Sequence, residues 1–351
     1  MSPVNAPAKV LVSGVNGYLG VWVARKLLEA DYSVRGTVRS VAKSGDHLNN
    51  LFASYGDKWE LVEVPDITVS GAFDESVKGV DVVAHTASPF HFNVNDPSEL
   101  IDPAVKGTVS ILESIKKTGQ TVKRVVLTSS VAAVNDQPEQ PTVYDESRWN
   151  DMLVNRVKEK GAAAGGNAIY KASKTLAERA AWDFVEKNQS EINFDLTAIN
   201  PPNIYGPPIH EVTKAENLNT SQRRMYDVLT GAQDAKTLAS VTGSAVDVRD
   251  VAKAHVLAIS NPNVAGERTV ICEGTYWNQD FLDIAHTIEP KPWDGIAKGV
   301  PGQTKDKPSP VTFDTSKFER LYGFELNPLS TMIKDSLEDF KERGWVEAAT
   351  A

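Results

Sequence analysis

A tyrosine and a lysine four residues apart, Tyr170 and Lys174, form the spacing in this sequence best suited to chemistry. The run that follows, 175–185, favours helix, and positions i and i+4 lie on the same helix face. A phenol ordinarily titrates near pH ~10, and a nearby cation lowers that value by favouring the phenolate. The pair could therefore pass a proton to or from a substrate oxygen near neutral pH. A chance pair on a helix surface is the alternative, so the other motifs must decide.

Two hydroxyls, Ser129 and Ser130, follow the apolar run Arg124–Thr128, which we predict to be a strand. Ligands of parallel sheets bind at the carboxyl ends of the strands, so these hydroxyls could hold a substrate carbonyl. A serine pair that bonds nearby backbone groups is the better interpretation of these residues taken alone.

Glycines at positions 14, 17 and 20 separate a predicted strand, Lys9–Ser13, from a predicted helix. Such a turn lets the backbone approach a pyrophosphate, which would sit at the helix N-terminus. The spacing is G-x-x-G-x-x-G rather than the common G-x-G-x-x-G, but its position between a first strand and a first helix favours a dinucleotide site.

The second predicted strand, 32–38, is followed by Arg39, with Lys43 one turn further on. Sites for NAD usually place an acid in this region to bind the ribose 2′-hydroxyl, but no Asp or Glu lies between the strand and Asp46. A carboxylate would repel a 2′-phosphate, whereas a guanidinium can bind it through two parallel hydrogen bonds. Arg39 and Lys43 therefore predict NADPH. A solvated arginine at a strand end is the alternative.

Strands and helices alternate through the first two hundred residues. This alternation predicts an α/β fold with a doubly wound parallel sheet of the Rossmann type. His85 lies in the fourth strand and is expected to be structural, and the small-residue loop 162–167 is expected to flex as substrate enters. The further strands are predicted at 59–64, 79–86, 124–128 and 194–199, with a long helix at 97–117.

The alternation weakens after residue 205, and we expect a second, smaller unit. The proline-rich stretch 200–207 should turn sharply. Asp250 is expected to cap a helix that runs to Ile259. The other expectations are an irregular segment at 208–240, a return to the sheet at 246–252, and amphipathic helices at 314–322 and 328–342. The predicted division is a dinucleotide-binding domain over 1–205, which also receives 241–272, and a smaller C-terminal substrate-binding lobe over 206–240 and 273–351.

Composition limits the classes of partner. The chain of 351 residues has a formal net charge of −9 and no block of Lys and Arg, which argues against nucleic acid and anionic membranes. A single cysteine, Cys272, allows no intramolecular disulfide and fits the cytoplasm, and we expect a buried, inert thiol in a strand. No signal sequence, membrane span or metal-ligand cluster is predicted.

Together these motifs resemble the extended short-chain dehydrogenase/reductase family, in particular its dihydroflavonol-reductase and cinnamoyl-CoA-reductase branch and the fungal aldehyde/ketone reductases within it. The matching stretches occur in the family's order. They are SGVNGYLG (13–20), VRGTVRS (34–40), HTASPF (85–90), VVLTSS (125–130), YKASK (170–174), NPPNIYGP (200–207) and VDVRDVAKAHVLAI (246–259).

The resemblance implies that Tyr170 donates a proton and that Ser130 polarises the carbonyl. Lys174 would bind the nicotinamide ribose and lower the pKa of Tyr170. The other implied cofactor contacts are Gly14, Asn16, Gly17, Tyr18 and Leu19 at the pyrophosphate, Arg39 and Lys43 at the 2′-phosphate, Asp66 and Ile67 at the adenine, Thr86, Ala87, Ser88 and Thr128 along the cofactor, and Pro201 and Ile204 behind the nicotinamide. By position, Phe90, Val131, Asn203 and the segment 208–240 would meet the substrate, and Phe90 with Phe92 favours an aromatic or hydrophobic one.

Two departures from the family pattern stand out. Ser13 replaces the usual Thr before the first glycine, and the region 104–108 lacks the Asn that holds a proton-relay water in many members. Neither removes the leading hypothesis, an NADPH-dependent carbonyl reductase acting on a small molecule. A nucleotide-sugar epimerase or dehydratase and a non-catalytic NADP-sensing regulator are the alternatives, and the sequence does not decide between a monomer and a homodimer.

Overall fold

In a computed structural model, which describes residues 3–88 and 95–346, a seven-stranded parallel sheet occupies the centre of the chain. The strand order is β10-β7-β5-β4-β1-β2-β3. The strands are β1 (Lys9–Ser13), β2 (Ser33–Val38), β3 (Trp59–Glu63), β4 (Val82–His85), β5 (Arg124–Thr128), β6 (Thr142–Tyr144), β7 (Asp195–Asn200), β8 (Asn203–Tyr205), β9 (Thr242–Asp247), β10 (Arg268–Val270), β11 (Gly274–Trp277) and β12 (Val311–Phe313).

Helices cover both faces of this sheet, as the alternation of elements predicts. Those on the described part of the chain are α1 (Tyr18–Glu29), α2 (Val41–Leu51), α3 (Ser98–Thr118), α4 (Asp151–Lys160), α5 (Gly166–Lys187), α6 (Thr220–Leu229), α7 (Ala235–Ser240), α8 (Val248–Ser260), α9 (Asn278–Ala285), α10 (Ser316–Tyr322) and α11 (Leu329–Glu342). The predicted α/β doubly wound fold is confirmed.

Alternate residues of the central strands feed two separate cores. Val10 and Val12 of β1 pack in one core with α1, α8 and α10, whereas Leu11 packs in the other with α3 and α5. Successive side chains of a strand point to opposite faces, and a parallel sheet covered on both sides needs apolar residues on both. The order changes direction between β1 and β4, which opens a crevice at their carboxyl ends.

A second, three-stranded sheet has the order β11-β9-β8. The chain leaves the large sheet after Asn200, passes Pro201 and Pro202, and enters the small sheet at Asn203. Since proline has no backbone N–H to donate, the predicted break in pairing falls at the two prolines. Our expectation that 246–252 returns to the large sheet is wrong for its strand part, because β9 pairs with β8 and β11.

The segment 208–240 is more regular than predicted. It contains α6 and α7, and α6 buries Gln222, Met225, Val228 and Leu229 on one side. Its polar composition obscured that helical spacing. The loop expected at 162–167 is also wrong, because a 3₁₀ helix spans Gly161–Ala164 and α5 begins at Gly166.

The assignments of Asp250 and Cys272 also need correction. The N-cap of α8 is Asp247, whose carboxylate accepts a hydrogen bond from the Arg249 amide at 2.8 Å. Asp250 instead accepts one from the Asn327 amide at 2.7 Å, and so connects α8 to the segment before α11. Cys272 is buried as expected but lies between β10 and β11 rather than in a strand, and burial raises its pKa to about 12.

A third hydrophobic core lies beside the small sheet and is formed by α6, α9 and α11. The predicted C-terminal lobe is not uniform, however, because Phe318 and Tyr322 of α10 pack in the first core of the large sheet. The division into two domains therefore remains a prediction. None of the helices in the described ranges is long and apolar enough to cross a membrane.

Candidate active site

Helix α5 brings the predicted catalytic residues to the carboxyl ends of β4 and β5. Tyr170 and Lys174 lie one turn apart on it; Lys174 is buried and Tyr170 is half-buried. The Tyr170 hydroxyl hydrogen-bonds with Ser130, and the Lys174 ammonium donates to the Ser88 hydroxyl at 2.9 Å. The structure therefore brings Ser130, Tyr170, Lys174 and Ser88 together.

Ser130 is held by its neighbours on both sides. Its hydroxyl accepts a hydrogen bond from the Ala132 amide at 3.1 Å, which caps the 3₁₀ helix Val131–Ala133. The Asn200 side chain donates to the Ser130 carbonyl at 3.2 Å, and the Val131 amide donates to the Pro201 carbonyl at 3.0 Å. These bonds fix the loop around Ser130, which we call the serine loop, against the loop that follows β7.

The expected lowering of the Tyr170 pKa is not seen in this structure. Burial raises the pKa of Tyr170 to about 12, because a low dielectric disfavours the phenolate, and the hydrogen bond with Ser130 offsets part of that rise. The ammonium that was expected to lower the pKa donates to Ser88. Burial also lowers the pKa of Lys174 to about 8, with Glu178 opposing the shift.

Ser13 and His85 join the ends of β1 and β4. The Ser13 hydroxyl accepts hydrogen bonds from the amides of Thr86 and Ala87, both at 3.0 Å, so its one proton goes to His85 Nδ1 at 2.8 Å. His85 is thus the neutral Nε2–H tautomer, and burial lowers its pKa to about 3, with Lys174 adding to the effect. Ser13 retains the local bonding expected of the usual Thr.

A small cavity of about 10 Å³ lies beneath Lys174, with His85, Ser88 and Thr108 among its lining residues. That volume holds about one water molecule. His85 Nε2 has no protein partner among the residues that the structure describes. Thr108 belongs to the stretch of α3 that lacks the family's relay Asn, so polar groups still line this position.

The glycine turn fits a pyrophosphate. Gly14 has φ +66°, a conformation that favours glycine, and a Cβ on Gly20 would lie 2.5 Å from the Gly14 carbonyl. The first turn of α1 has no side-chain cap at Gly17 and no acidic residue, so its free amides can donate hydrogen bonds to an anion. The ring of Tyr18 cannot contribute, because its hydroxyl is buried and donates to the Gly206 carbonyl at 2.8 Å. Leu19 and Tyr18 therefore offer backbone amides.

Arg39 and Lys43 lie where the 2′-phosphate was predicted. Both side chains are exposed and form no hydrogen bond or ion pair with any residue in 3–88 or 95–346. Asn16 donates to Ser44 of α2 at 3.3 Å, which connects the glycine turn to the same helix. The sequence analysis did not predict an acid near this site, but Glu63 of β3 accepts a hydrogen bond from the Val41 amide at 2.8 Å and so caps α2.

Asp66 and Ile67, predicted at the adenine, follow β3. Hydrogen bonds from Thr68 lower the pKa of the exposed Asp66, and the charge of Arg39 adds to that shift. Ile67 packs against Gly107 of α3. A Cβ on Gly107 would lie 2.8 Å from the Cδ1 atom of Ile67, so this close contact depends on the glycine.

Thr128 is the predicted cofactor residue that fits least. His255 Nδ1 donates to the Val251 carbonyl at 2.8 Å, so its Nε2 accepts from the Thr128 hydroxyl at 2.7 Å. That hydroxyl points to the α8 side of the sheet, whereas Ser129 points to α5. A cofactor contact of Thr128 would have to use its backbone.

The predicted substrate residues are only partly placed. Val131 and Asn203 are half-buried, and the Asn203 side chain donates to the Ser244 carbonyl at 3.1 Å. Pro201 is buried and Ile204 is half-buried against the core of the large sheet. Phe90 and Phe92 lie outside the described residues.

Three charged residues at the site were missed. Glu178 follows Lys174 by one helical turn and Arg268 pairs with it, while Lys171 donates to the Asn135 carbonyl at 3.2 Å and has its pKa lowered to about 8 by burial. The i+4 spacing after Lys174 could have revealed Glu178, but only tertiary contacts reveal Arg268. Among the described residues, no group of three or more His, Cys, Asp and Glu could hold a metal ion.

Comparisons with known proteins find relatives over nearly the whole chain. The sequence pattern of the NAD dependent epimerase/dehydratase family matches residues 10–272. The chain is 38% identical to the ketoreductase azaE of Aspergillus niger, over 95% of this chain and 98% of the relative. It is 36% identical to the cinnamoyl-CoA reductase CAD2 of Medicago truncatula, over 98% of each. The crystal structure of yeast methylglyoxal/isovaleraldehyde reductase Gre2 complexed with NADPH superposes with a TM-score of 0.84 at 34% identity, covering 96% of this chain and all of that one.

Proposed function

The chain belongs to the NAD dependent epimerase/dehydratase family, and we propose that it is an NADPH-dependent reductase that converts ketones or aldehydes into alcohols. The observation that carries this proposal is the convergence of the Ser130 hydroxyl, the Tyr170 hydroxyl and the Lys174 ammonium at one place. Relatives named as reductases of carbonyl compounds support it.

NADPH would be held by the chain's own open groups. The amides of Tyr18 and Leu19 at the N-terminus of α1 suit a pyrophosphate, with Gly14, Asn16 and Gly17 beside them; the Gly17 amide itself donates to the Gly14 carbonyl at 2.9 Å. Arg39 and Lys43 suit the 2′-phosphate, since neither is engaged elsewhere in the described chain. Bound at this site, NADPH supplies the hydride that reduces the carbonyl carbon.

Two hydroxyls would bind the carbonyl oxygen, one from Ser130 and one from Tyr170. Because the pKa of Tyr170 is about 12, its hydroxyl is protonated at neutral pH and can act as an acid. As negative charge develops on the substrate oxygen, Tyr170 gives it a proton and becomes a phenolate. The Lys174 ammonium stabilises that phenolate, and its contact with Ser88 offers a route for the next proton.

The two alternatives fit less well. A dehydratase needs carboxylates beside the serine, but the turn after Ser130 carries Val131, Ala132 and Ala133. The nearby acid Glu178 is already paired with Arg268. A non-catalytic regulator would have no use for a converged Ser130, Tyr170 and Lys174. An aromatic or hydrophobic substrate and a cytoplasmic location remain predictions.

The test follows NADPH absorbance with a panel of aryl ketones, α-keto esters and aldehydes. We expect turnover with NADPH and a loss of roughly 10²–10⁴-fold in Tyr170→Phe, the usual range for a general acid, with NADPH binding retained. Tyr32→Phe is the matched control, since it removes another tyrosine hydroxyl that forms a hydrogen bond, to the Val4 carbonyl at 3.1 Å, but that residue lies in the core beside α1. No turnover with any carbonyl, or full activity in Tyr170→Phe, would refute the proposal.

A further inference from the structure

We infer that Glu178 and Arg268, a buried ion pair beneath the site, are positioning residues: they hold the Ser130 loop in place and set the charge of Lys174. This inference rests on the proposed reductase function and extends it to two residues outside the reacting set. It stands on three observations, namely the geometry of the pair, its contacts with the serine loop, and its place on α5.

The pair is buried and almost fully hydrogen-bonded. Glu178 is 1% exposed and Arg268 9%. Arg268 Nε donates to one carboxylate oxygen at 2.5 Å and a terminal nitrogen reaches the other at 3.3 Å. Arg268 also donates to the carbonyls of Glu146 and Arg148 at 2.8 and 2.9 Å, and its guanidinium lies 3.5 Å from the ring centre of Trp149. Both charges therefore have fixed positions.

Such a pair is a poor device for stability alone. Removing two charges from water costs as much as their attraction returns, and apolar residues of the same volume often serve as well. A pair whose carboxylate lies on α5 one turn from Lys174 is better explained by what its charges and hydrogen bonds do there.

One role is to hold the serine loop. The Glu178 carboxylate accepts a hydrogen bond from the Ser129 hydroxyl at 2.5 Å and from the Asn200 side chain at 2.8 Å. Asn200 in turn donates to the Ser130 carbonyl at 3.2 Å. A single carboxylate thus binds the residue before Ser130 and the residue that fixes its carbonyl.

The second role is electrostatic. Tyr170, Lys174 and Glu178 are spaced four apart on α5, so their side chains share one face. Three groups on other elements lie near Lys174: the neutral His85 of β4, Ser88 in the loop after β4, and Thr108 of α3. Arg268 of β10 contacts Glu178. Glu178 is therefore the anion that opposes the loss of charge on Lys174 caused by burial.

The test is the pH dependence of kcat/KM for NADPH oxidation in variants of each partner. In Glu178→Gln, Lys174 loses its anion and faces an unpaired Arg268, so the pH at which activity falls on the basic side should drop by about one unit. In Arg268→Gln the unpaired Glu178 should move that pH upward by a similar amount. Damage to the fold alone would move both variants in the same direction or neither.

Controls separate the two roles. Ser129→Ala removes a hydrogen bond from the pair without changing its charge, so kcat should fall several-fold with no shift of the pH profile. Asp195→Asn, in the buried ion pair that Asp195 of β7 forms with Arg124 of β5, should destabilise the protein without any shift of the pH profile. If single variants fail to fold, the double variant Glu178→Gln/Arg268→Gln keeps the pair neutral. Its basic-side pH should then drop by less than the roughly one unit expected for Glu178→Gln alone.

Each outcome decides something distinct. Wild-type protein without carbonyl turnover contradicts the proposed function. If the wild type turns over a carbonyl but the basic-side pH moves in the same direction in both single variants, the positioning role is overturned and the reductase function stands. The same holds if that pH moves neither in the single variants nor in the double variant.

Discussion

Substitution of Arg39 by alanine gives the sharpest test of the cofactor assignment. The side chain is exposed and has no hydrogen bond or ion pair within the described ranges, so its removal disturbs no packing. We therefore expect the free energy of unfolding to change by at most about 0.5 kcal/mol, as for other surface substitutions. Any large effect must come from the cofactor.

The magnitude follows from the bonds that the guanidinium can form. Hydrogen bonds to a charged group contribute about 1.5–3 kcal/mol, and each 1.4 kcal/mol corresponds to about tenfold. Salt screens exposed charges, so the lower half of that range applies at about 0.15 M ionic strength. Arg39→Ala should lower kcat/KM for NADPH roughly 10- to 40-fold and leave kcat/KM for NADH, which has no 2′-phosphate, unchanged.

The assay compares initial rates of NADPH and NADH oxidation with one carbonyl substrate. Arg35→Ala is the matched control, four residues earlier in β2, since Arg35 is held by Glu60 at 3.1 Å and by the carbonyls of Ser76 and Lys78 at 2.8 Å. That variant should lose stability without changing cofactor preference. An unchanged ratio of NADPH to NADH use in Arg39→Ala would refute the assignment.

Three further outcomes follow from buried groups. Arg124→Met removes one partner of the buried Arg124–Asp195 ion pair and should cost about 3–5 kcal/mol in urea unfolding; a change below about 1 kcal/mol, within the range of an exposed pair, would contradict it. Tyr18→Phe removes one buried hydrogen bond and should cost about 1 kcal/mol, while NADPH affinity in a fluorescence titration stays the same; a large loss of affinity would mean that the ring contacts the cofactor. Burial lowers the pKa of His85 to about 3 and of His255 to about 4, so between pH 6.5 and 4 the unfolded chain binds more protons. Stability should therefore fall as the pH drops below 6.5, and equal urea midpoints at pH 7 and pH 5 would argue against this.

Local patterns were enough to predict the large sheet. The run Lys9–Ser13 and the run Arg124–Thr128 are strands with the predicted bounds, because apolar residues between polar turns favour a buried strand wherever they occur. The amphipathic spacing at 314–322 and 328–342 likewise predicted α10 and α11. These features depend on neighbours in the sequence.

Features that depend on distant partners were missed or misplaced. The pattern that led into α8 did not reveal that β9 pairs in the small sheet, since pairing depends on β8 and β11. Asp250 looked like an N-cap by position, but Asn327 is its partner. The pKa of Tyr170 was expected to fall because a cation lies one turn away, whereas the loss of solvent around the phenol is the larger effect and raises it.

The sequence by itself determined which groups could do chemistry. The Tyr170–Lys174 spacing, Ser130, the glycine turn and Arg39 can all be found from residue types, because each rests on the periodicity of one element or on its end. Only the tertiary structure decided what surrounds them. Arg268, 90 residues beyond Glu178, becomes the counter-charge beneath the site because β10 joins the large sheet next to β7, and burial then sets the charge of the lysine and the acidity of the tyrosine.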